Sequence, residues 1–296
     1  MSHLYTSQTY VDASRRLDQA CDWLTSIGVQ HSNTRLGQYR RLFADLATSQ
    51  ETRTLDDFYT RYSFADWVNA AHEAAEVVRI YEGFRAVSNP GLVSRLRESL
   101  RGHELFVLDN DDRSGRDFTF ELTIAAKFAR NRYPIDFGSD ADVESVVNET
   151  PFFVECKRLK SERQIEKRIK EGLKQLRKRY DASAHPSSAR GLLALSIGKT
   201  VNSTLGLLEG ANDRDIGTRA FLHNAAFIEK YRHRWQTKGD PRTLGVLIVL
   251  DSPGVLTAEK KLVTVHEVAL NNCIPESSSD YPLLLKVARD VFAKRD

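Results

Sequence analysis

Apolar residues in the first hundred positions recur at the three- and four-residue spacing of helices that bury one face. The apolar stripes are Leu17, Cys21, Leu24 and Ile27; then Leu36, Tyr39, Leu42, Phe43 and Leu46; and then Trp67, Ala70, Ala74, Val77, Val78 and Tyr81 within residues 64–84. A fourth helix is predicted between Asn89, a capping residue followed by Pro90, and Gly102. The pattern therefore predicts an α-helical N-terminal region over residues 1–103, with an accessory or dimerisation role.

Beyond residue 103, apolar runs of strand length alternate with helical stripes, as is typical of an α/β fold. Strands are predicted at 105–108, 133–137, 143–147, 152–157, 191–197, 262–268 and 243–250, the last of these closed by Asp251-Ser252-Pro253-Gly254. Helices are predicted from about 115 to 130, over 165–180, from about 215 to 235, and from 282 onward. We expect a mixed sheet flanked by helices, in a second unit over residues 104–296.

The stretch from Asp142 to Arg158 predicts a β-hairpin with a polar turn at 148–151. Side chains alternate between the two faces of a strand, so Glu155 and Lys157 leave the second strand on the same side as Phe153. The opposite side carries Phe152, Val154 and Cys156. An acid and an amine thus share one face.

Asp142, on the neighbouring strand, can approach this acid–amine pair. Two carboxylates can hold a hard divalent cation such as Mg²⁺, and a nearby ammonium can orient or help deprotonate a water molecule. Strand parity alone does not choose the first carboxylate, because Asp140 and Glu144 share the parity of Asp142. The sequence therefore predicts a catalytic metal site. Its first carboxylate is Asp142, with Asp140 and Glu144 as alternatives.

The helix before the hairpin contributes a further acid, Glu121, which lies beside an apolar stripe that includes Ala125. A carboxylate at the edge of a buried face needs a partner or a metal ion, because an isolated buried charge is costly. We therefore treat Glu121 as a candidate site residue, with a partly exposed salt bridge as the alternative.

Residues 157–179 are strongly basic, with eleven Lys or Arg against three Glu. An apolar stripe from Ile165 to Tyr180 predicts an amphipathic helix that packs on the sheet, with Gln175 at the edge of the stripe. A solvated surface is the ordinary account of such cations, but beside a metal site they suit phosphodiester binding. The candidate nucleic-acid-binding residues are Arg158, Lys160, Arg163, Lys167, Lys170, Lys174 and Lys199.

Composition narrows the function classes. The 296 residues are 41% hydrophobic and 28% charged, which fits a globular protein, and a net charge of only +3 means that a polyanion must be bound through local patches. Three scattered cysteines favour neither a disulfide framework nor a zinc site. With no signal-peptide pattern and no apolar run of membrane length, we expect a cytoplasmic protein without a membrane partner.

Two other segments resemble known ion- or phosphate-binding motifs. Residues 110–121 resemble a calcium-binding EF-hand loop, but Asn110 stands at the first position and Asp117 at the eighth, where the motif has Asp and an apolar residue. Gly198-Lys199-Thr200 resembles the end of a phosphate-binding loop, but Leu193 occupies the place of the first glycine. Neither motif is complete, and no organic cofactor is predicted.

Helix, hairpin, strand with acid-x-Lys, basic helix and strand occur here in the order that resembles the PD-(D/E)XK nuclease superfamily. The resemblance covers about residues 114–200, with an outer limit near residue 250. Its motif is Glu155-Cys156-Lys157, with Asp142 thirteen residues before Glu155. The sequence departs from the family pattern at Ala141, where the nominal residue is proline. The resemblance implies a restriction-endonuclease-like α/β fold with a central mixed sheet.

The resemblance also implies roles for individual residues. Asp142 and Glu155 would bind Mg²⁺, with Mn²⁺ as a substitute, and the backbone carbonyl of Cys156 would add a ligand. Lys157 would position the attacking water and stabilise charge on the phosphate. Glu121 would be the helix acid of the catalytic site and a further metal ligand, and Gln175 would be its helix glutamine.

The implied function is Mg²⁺-dependent hydrolysis of phosphodiester bonds, with double-stranded DNA as substrate, in genome defence, restriction or repair. A homodimer is expected because cutting both strands of a duplex needs two sites, and a regulatory protein partner would restrain the activity. Two alternatives stay open: a non-catalytic nucleic-acid-binding module, and a regulatory partner subunit that retains the nuclease fold.

Overall fold

The computed structural model describes residues 2–5, 10–87, 89–103, 106–108, 115–138, 141–204, 206–236, 239–259 and 261–292. The strands in these ranges are Ser2–Tyr5 (β1), Ile135–Asp136 (β2), Val143–Val147 (β3), Thr150–Arg158 (β4), Arg190–Ser196 (β5), Leu208–Gly210 (β6), Thr243–Leu256 (β7) and Lys261–Asn272 (β8). The α-helices are Tyr10–Ser26 (α1), Arg35–Thr52 (α2), Leu55–Arg61 (α3), Phe64–Phe84 (α4), Pro90–Ser99 (α5), Gly115–Arg130 (α6), Ile165–Ala182 (α7), Gly198–Val201 (α8), Asp213–Tyr231 (α9), His233–Gln236 (α10) and Tyr281–Val287 (α11).

All the described strands belong to one mixed sheet in the order β1-β8-β7-β5-β4-β3-β2, with β6 paired to β7. The pairs β4–β5, β5–β7 and β6–β7 are parallel, and the other pairs are antiparallel. The α/β class predicted from the sequence, with a mixed sheet flanked by helices and a helical N-terminal region, is confirmed. No helix among the described residues is long and apolar enough to cross a membrane.

Helices cover both faces of the sheet. One face shares a hydrophobic core with α1, α2, α4, α5 and α6, in which Phe152 and Val154 of β4 belong to the same cluster as Trp67 and Phe128. The other face, which includes Phe153, packs against α7 and α9. The alternation predicted for β4 is therefore present, and the N-terminal helices are continuous with the core of the sheet.

Buried ion pairs also join the N-terminal helices to the sheet. Arg79 of α4 donates to Oδ1 of Asp251 in β7 at 3.0 Å, and Nδ1 of His266 in β8 lies 2.7 Å from the same oxygen. Burial lowers the pKa of His266 to about 4, although Asp251 opposes that change. A neutral imidazole therefore lies beside a carboxylate that is neutralised by Arg79.

The predicted helix starts are supported by local capping. Asn89 Oδ1 accepts a hydrogen bond from the backbone N–H of Gly91 at 2.8 Å, and Pro90 opens α5 as expected. Ser63, which was not predicted as a cap, forms a capping box with Asp66 at the start of α4.

Several predicted boundaries were wrong. The predicted strand at 105–108 is a 3₁₀ helix in its described part, Phe106–Leu108. Strand β7 does not end before Asp251 but continues through Pro253, which is paired with Thr264 of β8. Pro253 precedes the β6–β7 pairing, which starts at Gly254, so its missing N–H is not required there. The first strand, β1, lies in a region predicted as helical and pairs with β8.

The hairpin between β3 and β4 is tighter than predicted. Val147 and Thr150 are paired, so the turn consists of Asn148 and Glu149 alone, with φ of 47° and 63°. Two consecutive residues with positive φ are the requirement of the two-residue turn that matches strand twist, and Asn tolerates that conformation well. Pro151, predicted as part of the turn, lies in β4 opposite Val146.

Candidate active site

Strand β4 presents Glu155 and Lys157 on the face that packs against α7. The Glu155 side chain is 1% exposed and that of Lys157 is 13% exposed. The Lys157 ammonium lies 2.7 Å from Oε1 of Glu155 and donates to the carbonyl oxygen of Cys156 at 3.0 Å. Glu155 and Lys157 therefore form a buried ion pair near the C-terminal end of β4.

Asp142 immediately precedes β3 and reaches the same place. Its Oδ2 accepts a hydrogen bond from the backbone N–H of Cys156 at 2.7 Å and lies 3.5 Å from Lys157 Nζ. The backbone hydrogen bond fixes the carboxylate against β4, and the lysine joins the two acids. The structure therefore brings together the predicted trio of Asp142, Glu155 and Lys157.

The charged groups of the trio lie close together and are shielded from water, and both conditions change their pKa values. Burial, and then the neighbouring charge of Asp142, raise the pKa of Glu155 to about 7. Burial tends to lower the pKa of Lys157, but Asp142 and Glu155 outweigh it and the net change is upward. Lys157 is therefore a cation at neutral pH, whereas Glu155 is near its titration midpoint.

Glu121 of α6 approaches the trio from the helix layer. Burial, and then the charge of Asp142, raise its pKa to about 8, although Arg95 opposes this change. Its Oε2 accepts a hydrogen bond from Arg95 Nη1 at 3.0 Å. The partner expected for this acid is therefore an arginine from α5, a residue that the sequence interpretation missed.

A cavity of about 330 Å³ opens over the trio. Its floor is formed by Asp142, Glu155, Cys156 and Lys157, with Arg158 beside them. Helix α6 adds Asp117 and Glu121. Helix α7 forms a wall of Arg168, Glu171, Lys174, Gln175, Lys178 and Arg179. The site is thus a charged cleft rather than an apolar pocket.

Two buried oxygens in this cleft lack a hydrogen-bond partner among the described residues. They are Oε2 of Glu155 and Oε1 of Gln175. An unsatisfied buried acceptor is uncommon and marks a place where a ligand, water or ion can bind. Both atoms belong to residues that line the cavity.

Gly172 lets α7 approach the sheet at this point. A Cβ on Gly172 would lie 2.4 Å from Cδ1 of Leu193 and 3.4 Å from Cγ of Lys157. The absence of a side chain therefore brings Gln175, one turn later on α7, close to the floor of the cavity.

The structure distinguishes between candidates for the first carboxylate of the metal site. Asp142 lines the cavity, whereas Glu144, although it lies in β3 opposite Phe153, does not line it. Asp140 lies outside the described residues. The EF-hand-like segment is in a similar position, because its first five residues, 110–114, also lie outside them.

The predicted basic residues fall into three groups. Arg158 and Lys174 line the cavity, and Arg163, Lys167 and Lys170 are exposed but do not line it. Lys160 is largely buried and its ammonium lies 3.1 Å from Oδ2 of Asp117, which also pairs with Arg158. The cations that face the cavity are therefore only partly those predicted.

Lys199 is placed away from the cavity. It is 6% exposed, and its ammonium donates to the carbonyl oxygen of Phe106 at 3.2 Å and lies 5.5 Å from the centre of that ring. This burial favours a structural role for Lys199 over the predicted role in nucleic-acid binding.

The sequence did contain an indication of the cavity-facing residues on α7. Arg168, Glu171, Gln175 and Lys178 follow one another at three- or four-residue intervals, beside the apolar stripe. Because Gln175 was placed at the edge of that stripe, the same helical row could have identified Arg168 and Lys178.

The donor set limits the kind of metal site that can form. In the part of the chain that the structure describes, no three His, Cys, Asp or Glu side chains form a group that could hold a metal ion. A site built on Asp142 and Glu155 therefore needs the Cys156 carbonyl and water as further ligands, as Mg²⁺ commonly does.

Comparison with known protein families, curated proteins and solved structures gives no match to this chain.

Proposed function

We propose that this chain is a Mg²⁺-dependent nuclease with a restriction-endonuclease-like fold that hydrolyses phosphodiester bonds in DNA. The proposal rests on the convergence of Asp142, Glu155 and Lys157 at the floor of a cleft with a cationic wall. These three residues are also the ones that match the motif of the PD-(D/E)XK superfamily, which the sequence resembles.

The residues fit a hard divalent cation. Asp142 and Glu155 offer two carboxylates at the floor of the cavity, both within ion-pair distance of Lys157, and the carbonyl oxygen of Cys156 lies beside them. Burial, and then the charge of Asp142, raise the pKa values of Glu121 and Glu155. Oε2 of Glu155 is also a buried acceptor with no partner among the described residues.

Asp142 and Glu155 would hold the cation, together with the carbonyl oxygen of Cys156. When bound, Mg²⁺ polarises a phosphate oxygen and lowers the pKa of a bound water molecule. The Cys156 carbonyl already points toward this place, since it accepts a hydrogen bond from Lys157. Mn²⁺ prefers similar oxygen ligands and would substitute.

Lys157 acts as a cation in this proposal. Its ammonium is fixed by Glu155 and by the Cys156 carbonyl, so it can orient a water molecule and stabilise charge that develops on the phosphate. Oε1 of Gln175 can accept a hydrogen bond from that water, because it faces the same cavity without a protein partner among the described residues.

The wall of α7 supports a polyanionic substrate. Lys174 and Lys178 line the cavity and are exposed, and neither forms an ion pair with a described residue. Phosphate neutralisation by such side chains supplies most of the affinity for nucleic acid. In this proposal they hold the backbone of the substrate beside the trio of Asp142, Glu155 and Lys157.

The test is incubation of the protein with supercoiled plasmid, linear duplex, single-stranded DNA and RNA, each with Mg²⁺, Mn²⁺ or a chelator. The proposal predicts cleavage of DNA that requires a divalent ion. Binding without cleavage under every metal would instead support a non-catalytic binding module, and neither binding nor cleavage would support a regulatory partner subunit.

A homodimer and a role in genome defence, restriction or repair complete the proposal. A dimer would convert supercoiled plasmid directly to linear product, because two sites cut both strands in one encounter. Light scattering combined with the ratio of nicked to linear product distinguishes a dimer from a monomer.

A further inference from the structure

Arg95 of α5 links three groups around the candidate site. Its Nη1 donates to Oε2 of Glu121 at 3.0 Å and to the carbonyl oxygen of Asp142 at 3.4 Å, and its Nη2 donates to the carbonyl oxygen of Ala141 at 2.9 Å. One guanidinium therefore connects the N-terminal helices, α6 and the segment that carries Asp142.

These contacts hold Asp142 from its backbone side. Its side chain is held separately, by the hydrogen bond from the backbone N–H of Cys156. Asp142 is thus held both at its backbone and at its carboxylate. Such double support is what positions a metal ligand reproducibly. Ala141 is 1% exposed, so its carbonyl accepts this hydrogen bond from Arg95 in a place shielded from solvent.

The pair of Arg95 and Glu121 is shielded from water. Their side chains are 17% and 13% exposed, so the buried guanidinium needs a hydrogen-bond acceptor, and Oε2 of Glu121 supplies one. The planar fork of a guanidinium can donate to a carboxylate and to two carbonyl oxygens at once, which the single ammonium of lysine cannot reproduce with the same geometry.

We propose that Arg95 is a positioning residue of the nuclease site, and that Glu121 acts through Arg95 to fix Asp142 rather than by binding the metal ion. This inference rests on the proposed function. It assigns the N-terminal helical region a direct part in the site, because α5 supplies the residue that holds the Asp142 backbone.

Positioning Asp142 through Arg95 does not require a negative charge on Glu121, whereas binding a metal ion does. As a hydrogen-bond acceptor, Glu121 can be replaced by glutamine, whose amide oxygen still accepts from Arg95. As a metal ligand, it would lose its anionic oxygen in Glu121→Gln and affect catalysis as strongly as Asp142→Asn does. The conservative substitution therefore separates the two roles.

The experiment compares wild type with Arg95→Lys, Glu121→Gln, Asp142→Asn and the control Arg97→Ala. Arg97 lies on the same helix but is exposed, and its guanidinium donates to the carbonyl oxygen of Gly28 at 3.0 Å. Cleavage of plasmid is measured against Mg²⁺ concentration, which reports both the maximal rate and the half-saturating concentration.

Arg95→Lys is expected to lower activity by about 10–100-fold and to raise the half-saturating Mg²⁺ concentration, the usual effect of losing a residue that orients a ligand. Glu121→Gln is expected to keep most of the activity, and Arg97→Ala all of it. Loss of cleavage in Glu121→Gln equal to that in Asp142→Asn, with Arg95→Lys active, would overturn the inference.

A second measurement decides the positioning role without catalysis. Hydrogen–deuterium exchange of the amides in residues 141–147 should be faster in Arg95→Lys than in wild type, and unchanged in Arg97→Ala. Unchanged exchange in Arg95→Lys would overturn the inference even in an active enzyme. Absence of cleavage by the wild type would overturn the proposed function and leave the exchange result to judge Arg95.

Discussion

The ammonium of Lys157 lies 2.7 Å from Oε1 of Glu155, two residues earlier on the same strand, in a place where the glutamate is almost fully buried. A strand displays residues i and i+2 on one face, so this contact is local and needs no adjustment of the backbone. What is not local is Asp142, which brings a second carboxylate within 3.5 Å of the same ammonium.

Glu155→Gln should change how the stability of the metal-free protein depends on pH. The folded pKa of Glu155 is about 7, above the ordinary 4.5, so the native state binds this proton more tightly than the unfolded chain does. Its contribution to stability is complete below pH 4.5 and is lost as pH rises through 7. Urea unfolding should show the unfolding free energy of wild type, relative to that of Glu155→Gln, falling by about 3 kcal/mol across that window.

The control for this prediction is Glu144→Gln, which alters an acid two residues from Asp142 that does not line the cavity. Its pH profile should run parallel to that of wild type. If Glu155→Gln also runs parallel to wild type, the protonation account of Glu155 is contradicted.

Binding of Mg²⁺ should become stronger as pH rises, because the ligand Glu155 must first lose its proton. Below its pKa of about 7, the affinity should fall by roughly tenfold per pH unit. The measurement is the increase in Tm on addition of Mg²⁺ at pH 6 and at pH 8, with Glu155→Gln as control. Equal stabilisation of wild type at both values would count against this site.

The N-terminal and C-terminal halves of α7 should differ in their effect on DNA affinity. Lys174 and Lys178 line the cavity, whereas Lys167 and Lys170 do not. The double alanine variant of the first pair should weaken binding and reduce the slope of log affinity against log salt by up to about 2. The double alanine variant of the second pair, matched in charge and helix, should bind as wild type; equal losses in both would contradict the proposed orientation of the substrate.

Lys199→Ala should reduce stability rather than DNA affinity. Its buried ammonium donates to the Phe106 carbonyl, so its removal leaves that acceptor unsatisfied and should cost about 1–3 kcal/mol of unfolding free energy. Lys170→Ala, an exposed control, should change stability by less than about 0.5 kcal/mol. A loss of DNA affinity in Lys199→Ala with unchanged Tm would restore the original assignment of Lys199.

Much of the candidate site could be predicted because it depends on local geometry. Strand parity placed Glu155 and Lys157 on one face, and helical periodicity placed Gln175 beside the apolar stripe of α7. The hairpin turn was predicted too long because Thr150 and Pro151 have the composition of a turn. Their place in β4 is set by pairing with Val147 and Val146 across the hairpin.

The contacts that the sequence did not predict join residues far apart in the chain. Arg95 is 26 residues from Glu121 and 46 from Ala141, and no periodicity relates them. The burial of Lys199 similarly depends on Phe106, 93 residues earlier. Such contacts form when segments that are distant in the sequence pack together in the fold. Composition and spacing therefore do not predict them.

The central claim is that Asp142, Glu155 and Lys157 form one metal-dependent catalytic site. The most direct measurement is single-turnover cleavage of plasmid DNA with Mg²⁺ by wild type, Asp142→Asn, Lys157→Met and the neighbouring control Glu144→Gln, each first shown to be folded by its Tm. The account predicts loss of cleavage in Asp142→Asn and Lys157→Met, with Glu144→Gln fully active. Cleavage that survives in Asp142→Asn and Lys157→Met, or that is absent from wild type with every metal, would contradict it.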